Sequence, residues 1–139
     1  MYIIAGATGR VGSATAKELL AAGHEVRVLL RRQADSADWQ ARGAQTWVAS
    51  LEDRAALGEA LEGCAGFFVL LPFDPSLPDP EAVADRLIAS IAGAVADRRV
   101  PHVVMLSSVG ADLSEGTGPV VGLNRLEDAL RSSGTTVTA

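Results

Sequence analysis

Three glycines at equal spacing constrain this chain more than any other feature. A short apolar run, Tyr2 to Ala5, breaks at Gly6, and the segment Gly6-Ala7-Thr8-Gly9-Arg10-Val11-Gly12 then carries a glycine at every third position. From Val11 to Ala22 the pattern takes helical period, so that Val11, Ala14, Ala16, Leu19 and Leu20 share one face. A buried strand therefore turns sharply into a helix, through a turn that needs small residues at every third position. Gly23 ends that helix where a left-handed residue is preferred.

The remainder alternates in the same way. Strands are predicted at His24 to Leu30, Gln45 to Ala49, Gly66 to Leu71 and Val103 to Leu106, and a last one begins at Thr135 to Thr138. Gly66 to Leu71 is the most continuous apolar run, as a central strand covered on both faces requires. Helices are predicted at Leu51 to Leu61, Glu81 to Asp97 and Val121 to Ser132; the second carries Val83, Leu87, Ile88, Ile91 and Val95 on one stripe. Pro72 to Pro80 holds four of the six prolines and must be a loop. Short connections between alternating strands and helices imply right-handed crossovers, hence a parallel sheet with helices on both faces. The expectation is a single α/β domain over residues 1–139, in three layers, with a mainly parallel sheet of order 3-2-1-4-5 and a partial sixth strand.

Composition narrows the partners. Twelve basic and seventeen acidic residues give a net charge of −5, which argues against binding nucleic acid or an anionic membrane. No apolar run reaches the roughly 18 residues of a membrane span, and the first residues lack the pattern of a signal peptide. A cytoplasmic protein is expected. Cys64 is the only cysteine, and His24 and His102 are the only histidines. Neither a disulfide nor a metal site is expected from them.

The glycine spacing is a variant of the Rossmann dinucleotide fingerprint. Gly6 would take the tight turn, Gly9 would let the main chain approach a pyrophosphate, and Gly12 would let helix and strand pack closely. The helix N-terminus then offers free N–H groups and a positive dipole end to the phosphates. At the end of the second strand, NAD binders place an acid about 20 residues beyond the glycines. Here stand Leu30-Arg31-Arg32, and the first acid is Asp35. Guanidinium groups suit the 2′-phosphate of NADP, which Arg10 could also reach, so NADP(H) is expected in preference to NAD(H). The alternative is that Arg31 and Arg32 are solvated loop charges.

These residues carry a family resemblance. The glycine turn, Val26-Arg-Val-Leu-Leu-Arg-Arg32, Leu106-Ser-Ser-Val-Gly-Ala-Asp112 and Gly116 to Glu127 together resemble the NmrA-like NAD(P)-binding branch of the atypical short-chain dehydrogenase/reductases. The resemblance implies a Rossmann domain in which the glycine turn holds the pyrophosphate and Arg31 meets the 2′-phosphate. Ser50 and Leu51 would flank the adenine. The strand exits Leu71-Pro72 and Ser107-Ser108 would lie near the nicotinamide-side ribose. It also implies an oxidoreductase passing hydride to a small quinone-like or conjugated acceptor.

Two departures from the family stand out. Longer members continue into a C-terminal part that completes the sheet and builds the substrate pocket. This sequence therefore reads as an N-terminal portion, or as a shortened member that completes its sheet edge by self-association. Many dehydrogenases of the superfamily also use a Tyr-x-x-x-Lys pair, whereas Tyr2 is the only tyrosine and Lys17 the only lysine. Ser107 and Ser108 remain as weak catalytic candidates with no evident acid beside them. A non-catalytic NAD(P) sensor that grips a regulatory partner protein is the alternative function. Elsewhere, Cys64 reads as a part-buried thiol, His24, His102, Trp39 and Trp47 as structural, and Asp53, Glu59 and Glu62 as a solvated helix face. The charges around Arg125, Glu127 and Asp128 read as pairing along one helix surface.

Overall fold

Every predicted strand joins one sheet in the computed structural model, which describes Met1–Ala139. The elements in chain order are β1 (Tyr2–Ile4), α1 (Arg10–Ala21), β2 (Val26–Leu30), α2 (Ser36–Ala41), β3 (Gln45–Val48), α3 (Arg54–Ala60), β4 (Gly66–Val69), α4 (Pro80–Asp97), β5 (His102–Met105), α5 (Val121–Ser132) and β6 (Thr136–Thr138). The sheet order is β3-β2-β1-β4-β5-β6, and all five pairings are parallel. The predicted order and the sixth strand are both present. Ile4 stands between Val28 of β2 and Phe68 of β4, at the centre of the register.

Alternation along each strand sends its side chains into two separate cores. Ile3 and Ala5 join Phe67, Val69, Val103 and Met105 on one face, beneath Leu57 of α3, Ile91 and Val95 of α4, and Leu126 and Leu130 of α5. Ile4, Val28, Leu30 and Phe68 face the other way, under Ala16 of α1 and Trp39 of α2. All four residues of β4 are buried, which explains why that segment is apolar without interruption. The α1–α2 layer does not extend over β5, where Val104 and Leu106 are 38% and 39% exposed.

Helix α2 has no counterpart among the predicted elements. Six residues make fewer than two turns, too few to establish a helical period, yet Trp39 within it is only 6% exposed. Two boundaries also move for local reasons. Helix α3 begins at Arg54 rather than Leu51, because the Ser50 hydroxyl accepts from the Glu52 N–H and Asp53 then caps the helix through the Ala56 N–H at 3.0 Å. Strand β2 begins at Val26 rather than His24, whose N–H is still bonded to the Leu19 carbonyl in the closing turn of α1.

Candidate functional site

A parallel sheet gathers the ends of its strands on one edge, and the residues singled out by sequence lie along that edge. The glycine turn follows β1, Arg31 and Arg32 follow β2, Ser50 and Leu51 follow β3, Leu71 and Pro72 follow β4, and Ser107 and Ser108 follow β5. Between β1 and β4 the order of connection reverses, since β1 leads to β2 on one side while β4 leads to β5 on the other. Such a reversal opens a crevice at the carboxyl ends of the strands, the common ligand position in open α/β sheets.

The turn after β1 is shaped by the residues it lacks. Gly6 has φ +69°, and the Gly9 N–H closes the turn on its carbonyl at 2.9 Å. A Cβ on Gly12 would fall 2.4 Å from the Gly6 oxygen and 2.7 Å from that of Ala5, so α1 packs on the backbone of the turn itself. Gly9 meets nothing closer than 3.3 Å, and its outward surface is open together with Thr8, Arg10 and Val11, while Ala7 is buried. Helix α1 carries neither a side-chain cap nor an acid in its first turn, whereas α3 and α4 are capped by Asp53 and Asp79. An open glycine surface before an uncapped helix start fits an anionic group such as a pyrophosphate.

The two arginines after β2 have different surroundings. Arg32 donates two hydrogen bonds to the Asp35 carboxylate, at 3.1 and 2.9 Å. Arg31 is exposed and enters no ion pair. Beyond β3, the Ser50 hydroxyl is engaged by its own turn, and Leu51 packs at the margin of the larger core.

A cleft of about 900 Å³ lies between the chain leaving β4 and the segment leading into α5. Leu71, Pro72 and Ser108, which the sequence singled out, line it, and so do Phe73, Glu81 and Glu115, which it did not. Their segments read only as a proline-rich loop, a helix start and a glycine-rich connection, with no periodicity to reveal a shared wall. Ser107 and Ser108 both line a neighbouring hollow beside Asn124, Glu127 and Arg131, and of the two only Ser108 also borders the cleft. The Asn124 side-chain amide donates to the Ala111 carbonyl at 2.9 Å, fastening the loop after β5 to α5.

Tyr2 opens β1, at the edge opposite these loops, with its ring edge-on to His24 at 5.2 Å. Lys17 lies on the outer side of α1, lining a shallow hollow with Arg10 and Glu18. Burial pushes the Cys64 thiol above its ordinary range. The His102 ring bonds the Thr138 hydroxyl at 2.9 Å, tying β5 to β6. Arg125 departs from the expected pairing along one helix, for its partner is Asp85 of α4; Glu127 pairs with Arg131 within α5. No three His, Cys, Asp or Glu side chains gather as metal ligands, and no helix is long and apolar enough to cross a membrane.

Comparison with known proteins bears on the family and the fold. The model of a family described as NAD(P)H-binding matches residues 6–138. A (4-alkanoyl-5-oxo-2,5-dihydrofuran-3-yl)methyl phosphate reductase of Streptomyces griseus is 36% identical over 135 residues, covering 96% of this chain and 44% of that protein. The fold matches the Citrobacter sp. triphenylmethane reductase complexed with NADP(H), with TM-score 0.83, 17% identity, and coverage of 98% of this chain and 47% of that one. It also matches an NADPH-dependent quinone oxidoreductase from Escherichia coli complexed with NADPH, with TM-score 0.79, 22% identity, and coverage of 99% and 47%. The chain thus spans less than half the length of each of these three proteins. With its Rossmann sheet, its glycine turn and these relatives, the chain belongs to the NAD(P)H-binding family of NmrA-like, atypical short-chain dehydrogenase/reductases.

Proposed function

We propose that this chain binds NADP(H) in preference to NAD(H), as part of an oxidoreductase that passes hydride to a small quinone-like or conjugated carbonyl acceptor. One observation carries the cofactor preference: Arg31 stands unpaired one residue beyond β2, beside the strand whose glycine turn opens the uncapped α1. The open face of Gly9 and the first N–H groups of α1 would receive the pyrophosphate. Arg31, with Arg10 within reach from the turn, would receive the 2′-phosphate. Ser50 and Leu51 would border the adenine; Leu71, Pro72, Ser107 and Ser108 would border the nicotinamide-side ribose. Arg32 takes a smaller part, since Asp35 already satisfies its guanidinium.

Bound NADPH would supply a hydride, and water the accompanying proton, so that a quinone leaves as hydroquinone. The chain's own contribution is binding and orientation. The names of the relatives support a reductase of such acceptors: one reduces a 5-oxo-dihydrofuran bearing an alkanoyl group, and another is a quinone oxidoreductase. A second reading, a redox sensor that grips a partner protein, draws on the position of Tyr2 at the far edge of the sheet, where it supplies no acid to the cleft. We place either activity in the cytoplasm, with the outer edge of β6 as the route to any self-association.

Calorimetric titration with NADPH and NADH, on the native chain and on Arg31→Ala, tests the cofactor reading. Tight NADPH binding that weakens on Arg31→Ala towards the level of NADH supports it. A folded chain that binds neither cofactor overturns it. NADPH consumption with a panel of quinones supports the enzyme, whereas cofactor-dependent capture of a partner without turnover supports the sensor.

A further inference from the structure

We propose that the cleft between β4 and α5 selects acceptors that carry a positive charge. The inference rests on the cofactor reading above and concerns the side of the site where the acceptor would meet the nicotinamide.

The cleft is lined by both apolar and acidic side chains. Leu71, Phe73 and Leu123 offer hydrocarbon surface, and the Phe73 ring is 50% exposed, unusually open for so large an apolar side chain. Three carboxylates share the lining: Asp79, Glu81 and Glu115. Asp79 accepts the Ala82 N–H as the cap of α4. Glu81 and Glu115 enter no ion pair at all. The one basic residue of the lining, Arg125, is held by Asp85 of α4, which cancels its charge locally.

The wall facing an acceptor is thus net negative, and a half-open aromatic ring lies within it. An aromatic face beside carboxylates favours an ammonium-type or delocalised cation, through the ring quadrupole and through charge. An anionic acceptor would meet uncompensated carboxylates and be disfavoured. Global charge does not explain this asymmetry. The net −5 of the chain is spread over its surface, and exposed charges beyond about 8 Å are largely screened at physiological salt. The cleft carboxylates belong to the lining itself.

The test uses 1,4-naphthoquinones of matched size bearing a trimethylammonium, a methyl or a sulfonate substituent, offered to the protein loaded with NADP(H). Both binding and NADPH oxidation are measured. The cationic quinone is expected to be favoured over the sulfonate by about tenfold or more. The double variant Glu81→Gln, Glu115→Gln is expected to collapse that ratio towards one. Glu59→Gln with Glu62→Gln, the same loss of charge on α3 and the loop beyond it, is expected to leave the ratio intact. Equal binding of the three quinones overturns the proposal. So does a ratio that survives the cleft variant, or one that falls equally in the α3 variant. NADPH affinity is read separately: its absence in the native chain overturns the cofactor reading, and its loss in the cleft variant with an unchanged quinone ratio assigns these acids to the cofactor instead.

Discussion

The α-carbon of Gly12 faces the carbonyl oxygen of Gly6 so closely that a methyl group there would lie 2.4 Å from it. Nothing in that contact is flexible, because both partners are backbone. Gly12→Ala must lift the start of α1 away from β1, at a cost of about 1–3 kcal/mol in overpacking. Gly9→Ala meets only the Gly6 oxygen, at 3.3 Å, and asks for a shift of a few tenths of an ångström. The two variants should therefore separate. Gly12→Ala lowers the melting temperature and the affinity for NADPH together, whereas Gly9→Ala keeps most of the stability and loses affinity. Thermal unfolding with and without NADPH distinguishes them, and equal melting temperatures for Gly12→Ala and the native chain would contradict the close approach.

Arg31 and Arg32 are adjacent in sequence but should not be equivalent in function. Loss of a guanidinium that bonds a phosphate costs about tenfold or more in affinity. Arg31→Ala is expected to lose that much for NADPH and almost nothing for NADH. Arg32→Ala removes the hydrogen bonds to Asp35 instead, an exposed pair worth about 0–1 kcal/mol. Its cofactor preference should change little. Competition titrations with both cofactors check this, and a larger loss of NADPH affinity in Arg32→Ala than in Arg31→Ala would reverse the assignment.

Asn124 holds the loop that leaves β5. Its amide donates to the Ala111 carbonyl at 2.9 Å in a partly buried place. Asn124→Ala removes one such bond and leaves the carbonyl without a partner, about 1–3 kcal/mol of destabilisation. Asn124→Asp is expected to be worse, because a carboxylate is acceptor-only and would stand against the same oxygen. Chemical denaturation should rank the native chain first, Asn124→Ala second and Asn124→Asp last. An Asn124→Asp chain as stable as the native one would show that the bond does not hold this loop.

The parts of the fold legible in the sequence are those written in periodicity. The stripe of Leu87, Ile91 and Val95 announces α4, and the uninterrupted run at Phe67 to Val69 announces a strand covered on both faces. The glycine turn was legible because its backbone requirements allow few other residues. Helix α2 was not, since six residues hold no period and only tertiary packing buries Trp39. The cleft was half legible. Leu71, Pro72 and Ser108 follow strand ends and could be placed by topology, but Phe73 and Glu115 line one cleft from positions more than forty residues apart, and no local pattern records that. The division between Arg31 and Arg32 depends on which guanidinium Asp35 takes, and that too is a matter of three-dimensional geometry.

Away from the site, Arg54 of α3 and Asp97 of α4 make a two-pronged pair with both contacts at 2.8 Å, crossing Gly93, where a Cβ would lie 2.7 Å from the guanidinium. Hydrogen bonds from Arg54 hold the Asp97 carboxyl below its ordinary range, and the guanidinium is raised in return. A carboxyl whose folded pKa is depressed adds stability above its unfolded pKa and loses it as pH falls through the folded one. The advantage of the native chain over Asp97→Asn should thus be present at neutral pH and vanish as pH falls through and below the ordinary carboxylate range. Gly93→Ala pushes on a flexible guanidinium rather than on backbone, so the helix survives and gains about 0.5–1 kcal/mol from the loss of a mid-helix glycine. That variant is expected to match or exceed the native melting temperature at neutral pH while losing the part of the acid dependence that belongs to Asp97. If Gly93→Ala instead unfolds at lower temperature at every pH, the guanidinium has no room to move and the contact between α3 and α4 is rigid.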